Sequence, residues 1–204
     1  MTPAAVPRPS VVGSLGFLTM NLAVGIIGFT VVVTLFAVGV GTAVVWVGLP
    51  VLALAILLSR GGARLERARV YAMLDTHIDL PYSALPEENR WRARVKDVNT
   101  YRDALYFLLM LPVGIAEFTV VVTLWSTSLG LVFLPLFYRW LPEGEFRVFD
   151  WDRPWVVVDS IPDAVPFALA GVVLLGLTVL VTRGLGRAHA RFARALLGPA
   201  RSLA

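Results

Sequence analysis

The sequence has no cysteine, which excludes a disulfide framework, a thiolate metal site and a cysteine nucleophile, while leaving the redox compartment open. Charge is scarce as well: 16% of the 204 residues are charged against 57% hydrophobic, and mean hydropathy is +0.75. An ordinary soluble domain is excluded by that balance. Lys96 is the only lysine, and His77 and His189 are the only histidines. Neither histidine has a metal-ligand neighbour in sequence. There is no Gly-rich phosphate loop, no nucleotide-binding Asn and Gly boxes and no serine with a plausible base. No catalytic, cofactor-binding or metal-ligating residue is therefore expected, and the chain is read as a non-enzyme without a cofactor.

What is abundant is uninterrupted apolar sequence. No residue between Arg8 and Arg60 is charged. As one helix this stretch would reach roughly 75 Å against a hydrocarbon core of about 30 Å, so it must turn back once. The glycine-bearing stretch Gly39-Val40-Gly41-Thr42 marks the turn, which predicts spans over 14–37 and 42–58. The first apolar stretch is too long for a signal peptide and lacks a small-residue cleavage site, so a retained anchor is expected. A third span follows Asp103 and runs to Ser126, interrupted only by Glu117, with Pro112 as a candidate bend. The apolar stretch from Leu129 to Tyr138 is short and contains Pro135, which suits an interfacial or re-entrant segment. The fourth span runs from Ala164 to Thr182. The fold class is thus an all-α membrane protein of four transmembrane helices.

Orientation follows from arginine and lysine beside the spans. Segment 60–102 and the tail after Arg183 are basic, whereas 139–163 sets three arginines against six acids. Both basic segments, and hence both termini, are expected in the cytoplasm of an inner-membrane protein. The high pI of about 10.0 reads as membrane orientation rather than nucleic-acid binding, because the charge lies beside apolar runs.

The run 22–35 returns at 111–124 with only Ala23, Ile27 and Gly28 replaced, and Gly, Phe and both Thr fall at fixed offsets. Arg60 and Arg64 before Ala72-Met73-Leu74 are likewise answered by Arg183 and Arg187 before Ala195-Leu196-Leu197. Each half reads as a helical hairpin followed by a basic amphipathic segment. The predicted organisation is an N-terminal tail (1–13), a first repeat (14–75), a cytoplasmic linker (76–101) and a second repeat (102–204) that includes an outer segment, 129–163. Hairpins that both start and end inside are expected to be parallel, related by an axis along the membrane normal.

Several stretches carry a family resemblance: Gly48-Leu49-Pro50, Leu65-Glu66-Arg67, Trp91-Arg92-Ala93-Arg94 before Tyr101-Arg102-Asp103, Leu111-Pro112-Val113-Gly114, Asp159-Ser160-Ile161-Pro162 and Ala195-Leu196-Leu197-Gly198-Pro199. Over about 14–199 the chain resembles the sensor-domain family of actinobacterial and some archaeal membrane signalling proteins. That resemblance implies a module often placed before a histidine kinase, and elsewhere found with other signalling partners or alone. It transfers no ligand residues.

Glu117 is the sharpest candidate, since an ionised group inside a span is costly unless paired and its repeat counterpart is Gly28. It reads either as a signal- or ion-sensitive carboxyl or as a protonated glue residue bonded to Thr34, Thr30 or a backbone carbonyl. Thr30, Thr34, Thr119 and Thr123, four apart in each copy, are expected to pack helix against helix. Arg183, Arg187, Arg191 and Arg194 fall within an arc of about 80° opposite Leu185, Ala188, Phe192 and Leu196, a basic amphipathic helix for anionic lipid or signal relay. Trp91 reads as a membrane-surface anchor. Trp151, Trp155, Asp150 and Asp152 form a candidate external ligand surface for a cationic antibiotic, peptide or metal ion, or an aromatic belt with solvated acids; a short strand is expected at 156–158.

The leading function is a membrane-embedded input module of a two-component or similar system. Its expected partners are membrane lipids, a histidine kinase or other cytoplasmic signalling protein, fused or separate, and a second copy of the chain; nucleic acid is not expected. The rivals are a small transporter or transporter subunit using Glu117, and a structural partner of another membrane protein.

Overall fold

In a computed structural model, residues 10–82, 90–141, 144–148 and 156–199 are described. Four helices are long and apolar enough to cross a membrane: α1 (Val11–Gly41), α2 (Gly48–Leu74), α4 (Val98–Phe137) and α5 (Ile161–Leu197). A short helix, α3 (Arg90–Lys96), precedes α4. Large apolar side chains such as Ile27, Val33, Leu57, Leu109, Val173 and Leu180 stand exposed along the spans, the arrangement that lipid rather than water accommodates.

Ser10 starts α1 by accepting the Gly13 amide at 2.9 Å. The turn into α2 is a 3-10 turn over Ala43–Val45 closed by Trp46 in the left-handed region (φ 64°), and a side chain on Gly48 would collide with the Gly39 carbonyl. The turn falls at 42–47, just past the glycine-marked stretch, because α1 stays helical through Gly39, Val40 and Gly41; α2 begins at Gly48 and does not stop at 58. It continues through Arg60, Arg64, Arg67 and Arg69 to Leu74, and α5 likewise continues through its arginines to Leu197. The basic segments are extensions of the spans rather than separate elements, because nothing breaks the helix where charge begins.

The chain divides into two compact units, 1–119 with 182–204, and 120–181. In the first, the buried residues of α1 include Ser14, Phe17, Leu18, Asn21, Gly25 and Val32, and those of α2 include Ser59, Ala63, Glu66, Val70 and Leu74. On α5 the buried positions include Thr182, Gly186, His189, Ala193 and Leu197, spaced as on α2. α1 and α4 meet where side chains are smallest. A Cβ on Gly25 would lie 2.7 Å from the Met110 carbonyl oxygen, and one on Gly114 would lie 2.7 Å from that of Asn21. Contacts of Gly28 with Phe107, Gly25 with Met110 and Gly114 with Asn21 run in opposite senses along the two helices.

The second unit holds the second half of α4 and the first half of α5. Gly171 leaves room for the Val132 backbone, the Ser128 and Thr178 hydroxyls bond at 2.9 Å, and Leu134, Tyr138, Val158 and Ala164 form a buried cluster. The expected strand is present as β2 (Val156–Val158), antiparallel to β1 (Phe146–Val148) with Arg147 opposite Val157. The expected interfacial segment after Leu129 is a correction: α4 runs unbroken through Pro135 to Phe137, and Leu134 is held in the buried cluster.

Candidate functional site, a closed ring of buried hydrogen bonds

Polar residues from all four long helices converge inside the first unit. Asn21 of α1, Glu66 and Arg69 of α2, Tyr106 and Glu117 of α4 and His189 of α5 each contribute a side chain. Helical spacing puts them there. Glu66 and Arg69 are three residues apart on one face of α2, and Tyr106 and Glu117 are eleven apart, three turns along one stripe of α4. Asn21 and Tyr106 are fully buried, and His189, Glu66 and Glu117 are only 1%, 4% and 7% exposed, so water does not solvate these groups.

The bonds close on themselves. Arg69 Nη2 donates to Asn21 Oδ1 at 2.6 Å, and Asn21 Nδ2 donates to Glu117 Oε2 at 2.5 Å. His189 Nδ1 meets Glu117 Oε1 at 2.8 Å, and its Nε2 meets the Tyr106 hydroxyl at 3.2 Å. Tyr106 donates to Glu66 Oε2 at 3.0 Å, and Arg69 Nη2 returns to the same oxygen at 2.8 Å. Aromatic rings pack around the circuit. The Arg69 guanidinium lies 4.0 Å over the Phe17 ring, Phe17 abuts His189 edge to face at 4.8 Å, and Phe192 stacks on Tyr106 at 5.4 Å. Buried charges survive where they are paired, and each of these has a partner, Arg69 through Nη2 alone, with Nε and Nη1 unbonded.

A crevice of about 610 Å³ between α1 and α2 leads to this ring. Val24, Ile27, Val31, Leu58 and Leu65 wall it, Phe107 lines it, and Glu66 and Arg69 stand at its polar end. Its size lies in the range of small-molecule pockets, and its apolar walls suit an acyl chain.

A second ionic layer ties α2 to the start of α4. Arg60 bonds Asp97 at 3.1 Å and Thr100 at 2.8 Å. Arg67 bonds Asp103 at 3.0 Å and the Leu197 carbonyl at 2.8 Å. Tyr82, after α2, donates to Asp103 at 2.5 Å beneath the Arg60 guanidinium, 3.9 Å from its ring. Burial and the Asp103 carboxylate push the Tyr82 phenol up from 10.0 to about 12.

The structure sorts the sequence candidates. Glu117 is buried and paired, but with Asn21 and His189 instead of Thr30 or Thr34. Thr30, Thr34, Thr119 and Thr123 are all exposed, a correction: the packed face of α1 is the Asn21 and Gly25 stripe, and the threonines lie off it. Arg183, Arg187, Arg191 and Arg194 are exposed together as expected. The buried face of α5 is not centred on Leu185, Ala188, Phe192 and Leu196, of which Ala188 is exposed; it is the small and polar stripe through Gly186 and His189, where close approach is possible. Trp91 is exposed on α3. Asp150, Trp151, Asp152 and Trp155 lie outside the described residues. Sequence reasoning passed over Asn21, Glu66, Arg69, Tyr106 and His189. Two signals pointed to them: Arg69 departs from the basic face of α2, and His189 turns away from the arginine arc of α5. Among the described residues no group of three or more His, Cys, Asp and Glu could hold a metal ion.

Four helices long and apolar enough to cross a membrane, joined by a ring of buried hydrogen bonds, define a multi-pass helical membrane protein. The family model described as "Putative sensor" matches residues 17–197, nearly the whole chain, and the chain belongs to that family. No curated protein and no solved structure matches it.

Proposed function

We propose that the chain is the membrane-embedded input module of a bacterial signalling system, lying in the inner membrane with both termini in the cytoplasm and acting without catalysis. An envelope or lipid-state signal biases two packings of the helices. The relayed change reaches a histidine kinase or another cytoplasmic signalling protein, fused or separate. The observation that carries this reading is the ring: one circuit holds side chains of α1, α2, α4 and α5, so a disturbance of any helix is felt by the others. Family membership supports the same reading. The arginines of α5 are the lipid-facing or partner-facing part of the relay. The exposed threonines of α1 and α4 are the packing surface for a second copy.

The test uses the full chain in lipid nanodiscs, with spin labels on cysteines introduced at Ala72 and Ala188, since no native cysteine interferes. Changing bilayer thickness or anionic lipid content should shift the distance between α2 and α5. A distance that stays fixed under every lipid composition overturns the reading.

The transporter alternative draws on one observation, the buried Glu117 beside His189 in the bundle interior. If it holds, proteoliposomes show pH-dependent flux that Glu117→Gln abolishes. An input module shows no flux.

A further inference from the structure

The ring has a proton requirement that its geometry alone imposes. Tyr106 has one hydroxyl proton; when that bond goes to Glu66, the hydroxyl oxygen can only accept from His189 Nε2. With Nε2 protonated, the contact between Nδ1 and Glu117 Oε1 is a hydrogen bond only if one further proton lies between them, on the imidazole or on the carboxyl. Either placement gives the same charge. Glu66 balances Arg69, and the Glu117 and His189 pair sums to zero.

Removing that one proton leaves two bad choices. Glu117 becomes a carboxylate facing the Nδ1 lone pair, both then depending on Asn21 Nδ2, 2.5 Å from Glu117 Oε2 and 3.3 Å from His189 Nδ1; or Tyr106 turns its proton to Nε2, His189 donates from Nδ1, and Glu66 loses its tyrosine donor. In each case one bond of the circuit is lost, Glu117 to His189 or Tyr106 to Glu66, and the buried groups carry a net negative charge.

Among the described residues no other titratable group is placed to compensate. Facing His189 are Phe17 and Asn21 from α1, Tyr106 and Glu117 from α4, and, through Tyr106 and Asn21, Glu66 and Arg69 from α2. Its own helix adds the Phe192 ring, while Arg187 and Arg191 are exposed.

A comparison of the two halves separates the ring from the scaffold. Offset by 89 residues, buried Gly25 and Val32 of α1 correspond to buried Gly114 and Val121 of α4; offset by 123, buried Ser59, Ala63 and Leu74 of α2 correspond to buried Thr182, Gly186 and Leu197 of α5. Type is kept at these positions. At the ring it is not: Asn21 corresponds to Met110, Phe17 to Tyr106, Gly28 to Glu117, Arg69 to Phe192 and Glu66 to His189. Packing alone would be served by the type-preserving pattern.

We propose that this ring is a proton-operated latch, in which one proton shared by Glu117 and His189 closes the circuit across the four helices and its loss opens it. The latch deepens the input-module reading by naming the proton as a ligand of its central site, and it rests on that reading for its signalling role. The test uses the full chain in nanodiscs with the labelled Ala72 and Ala188 cysteines, across about pH 5 to 8, where imidazole ordinarily titrates. Two distance populations should exchange with pH. Glu117→Gln, which supplies its own amide proton to Nδ1, should hold the acid-form distance throughout. In a His77→Gln background His189 is the single imidazole, and its nitrogen resonances should change over the same pH interval as the distance. A single distance at every pH, or an unaltered pH response in Glu117→Gln, overturns the latch. If lipid composition still moves the helices in that event, the input-module reading survives the latch.

Discussion

The two units solve the same problem, adhesion of helices in a medium that offers no hydrophobic drive, in different ways. Unit 120–181 uses close packing at Gly171, a hydroxyl pair between Ser128 and Thr178, and a cap of apolar residues around Leu134 and Tyr138. The other unit places Arg60, Arg67, Glu66, Asp103, Glu117 and His189 where almost no water reaches them. Hydroxyl pairs and small residues are forgiving. Buried ion pairs are not, since removing one partner strands the other. The difference teaches that the ionic unit is where a small chemical event has a large structural effect.

The sharpest way to break that contrast is Arg67→Ala. It strands the buried Asp103 carboxylate and frees the Leu197 carbonyl, and should destabilise the chain by about 3–5 kcal/mol in a reversible detergent-unfolding assay. A loss under about 1 kcal/mol would put the ionic layer on a level with surface pairs. Next comes Gly114→Leu, which forces α1 and α4 apart at the Asn21 carbonyl and should cost about 1–3 kcal/mol. Unfolding that matches the unmodified chain would mean the crossing is loose. In the other unit, Ser128→Ala removes one hydroxyl pair and should cost about 0.6 kcal/mol in the same assay. Thr119→Val, on an exposed flank, should change monomer stability by no more than about 0.5 kcal/mol.

A further expected effect is one of pH. Tyr82 has a folded-state pKa of about 12 against a reference value of 10.0, so its contribution to stability is whole below pH 10.0 and is lost as pH rises through about 12. Tyr82→Phe has no proton to lose and should surrender less stability than the parent chain between those limits. Unfolding curves at stepped alkaline pH would settle this, and identical slopes would refute it.

Much of the fold could be read from the chain itself. The uncharged run from Arg8 to Arg60 demanded a hairpin, and glycines marked its turn. Glu117 drew notice because charge inside a span is expensive. Its partners could not be read in the same way: Asn21 and His189 are 96 and 72 residues from it, and helical periodicity is blind to which stripe meets which. The basic face of α5 hid His189, whose neighbours in sequence are exposed arginines but whose neighbours in space are Phe17, Tyr106 and Glu117. The threonines misled for the opposite reason, since a regular spacing was taken for a packed face.

Composition by itself fixed the medium and the number of crossings, because apolar length and the cost of unsatisfied peptide groups in lipid are local properties of sequence. Tertiary structure decided which buried polar groups would find one another. Their stability depends on partners from four separate helices arriving within hydrogen-bonding distance, and no single segment contains that information.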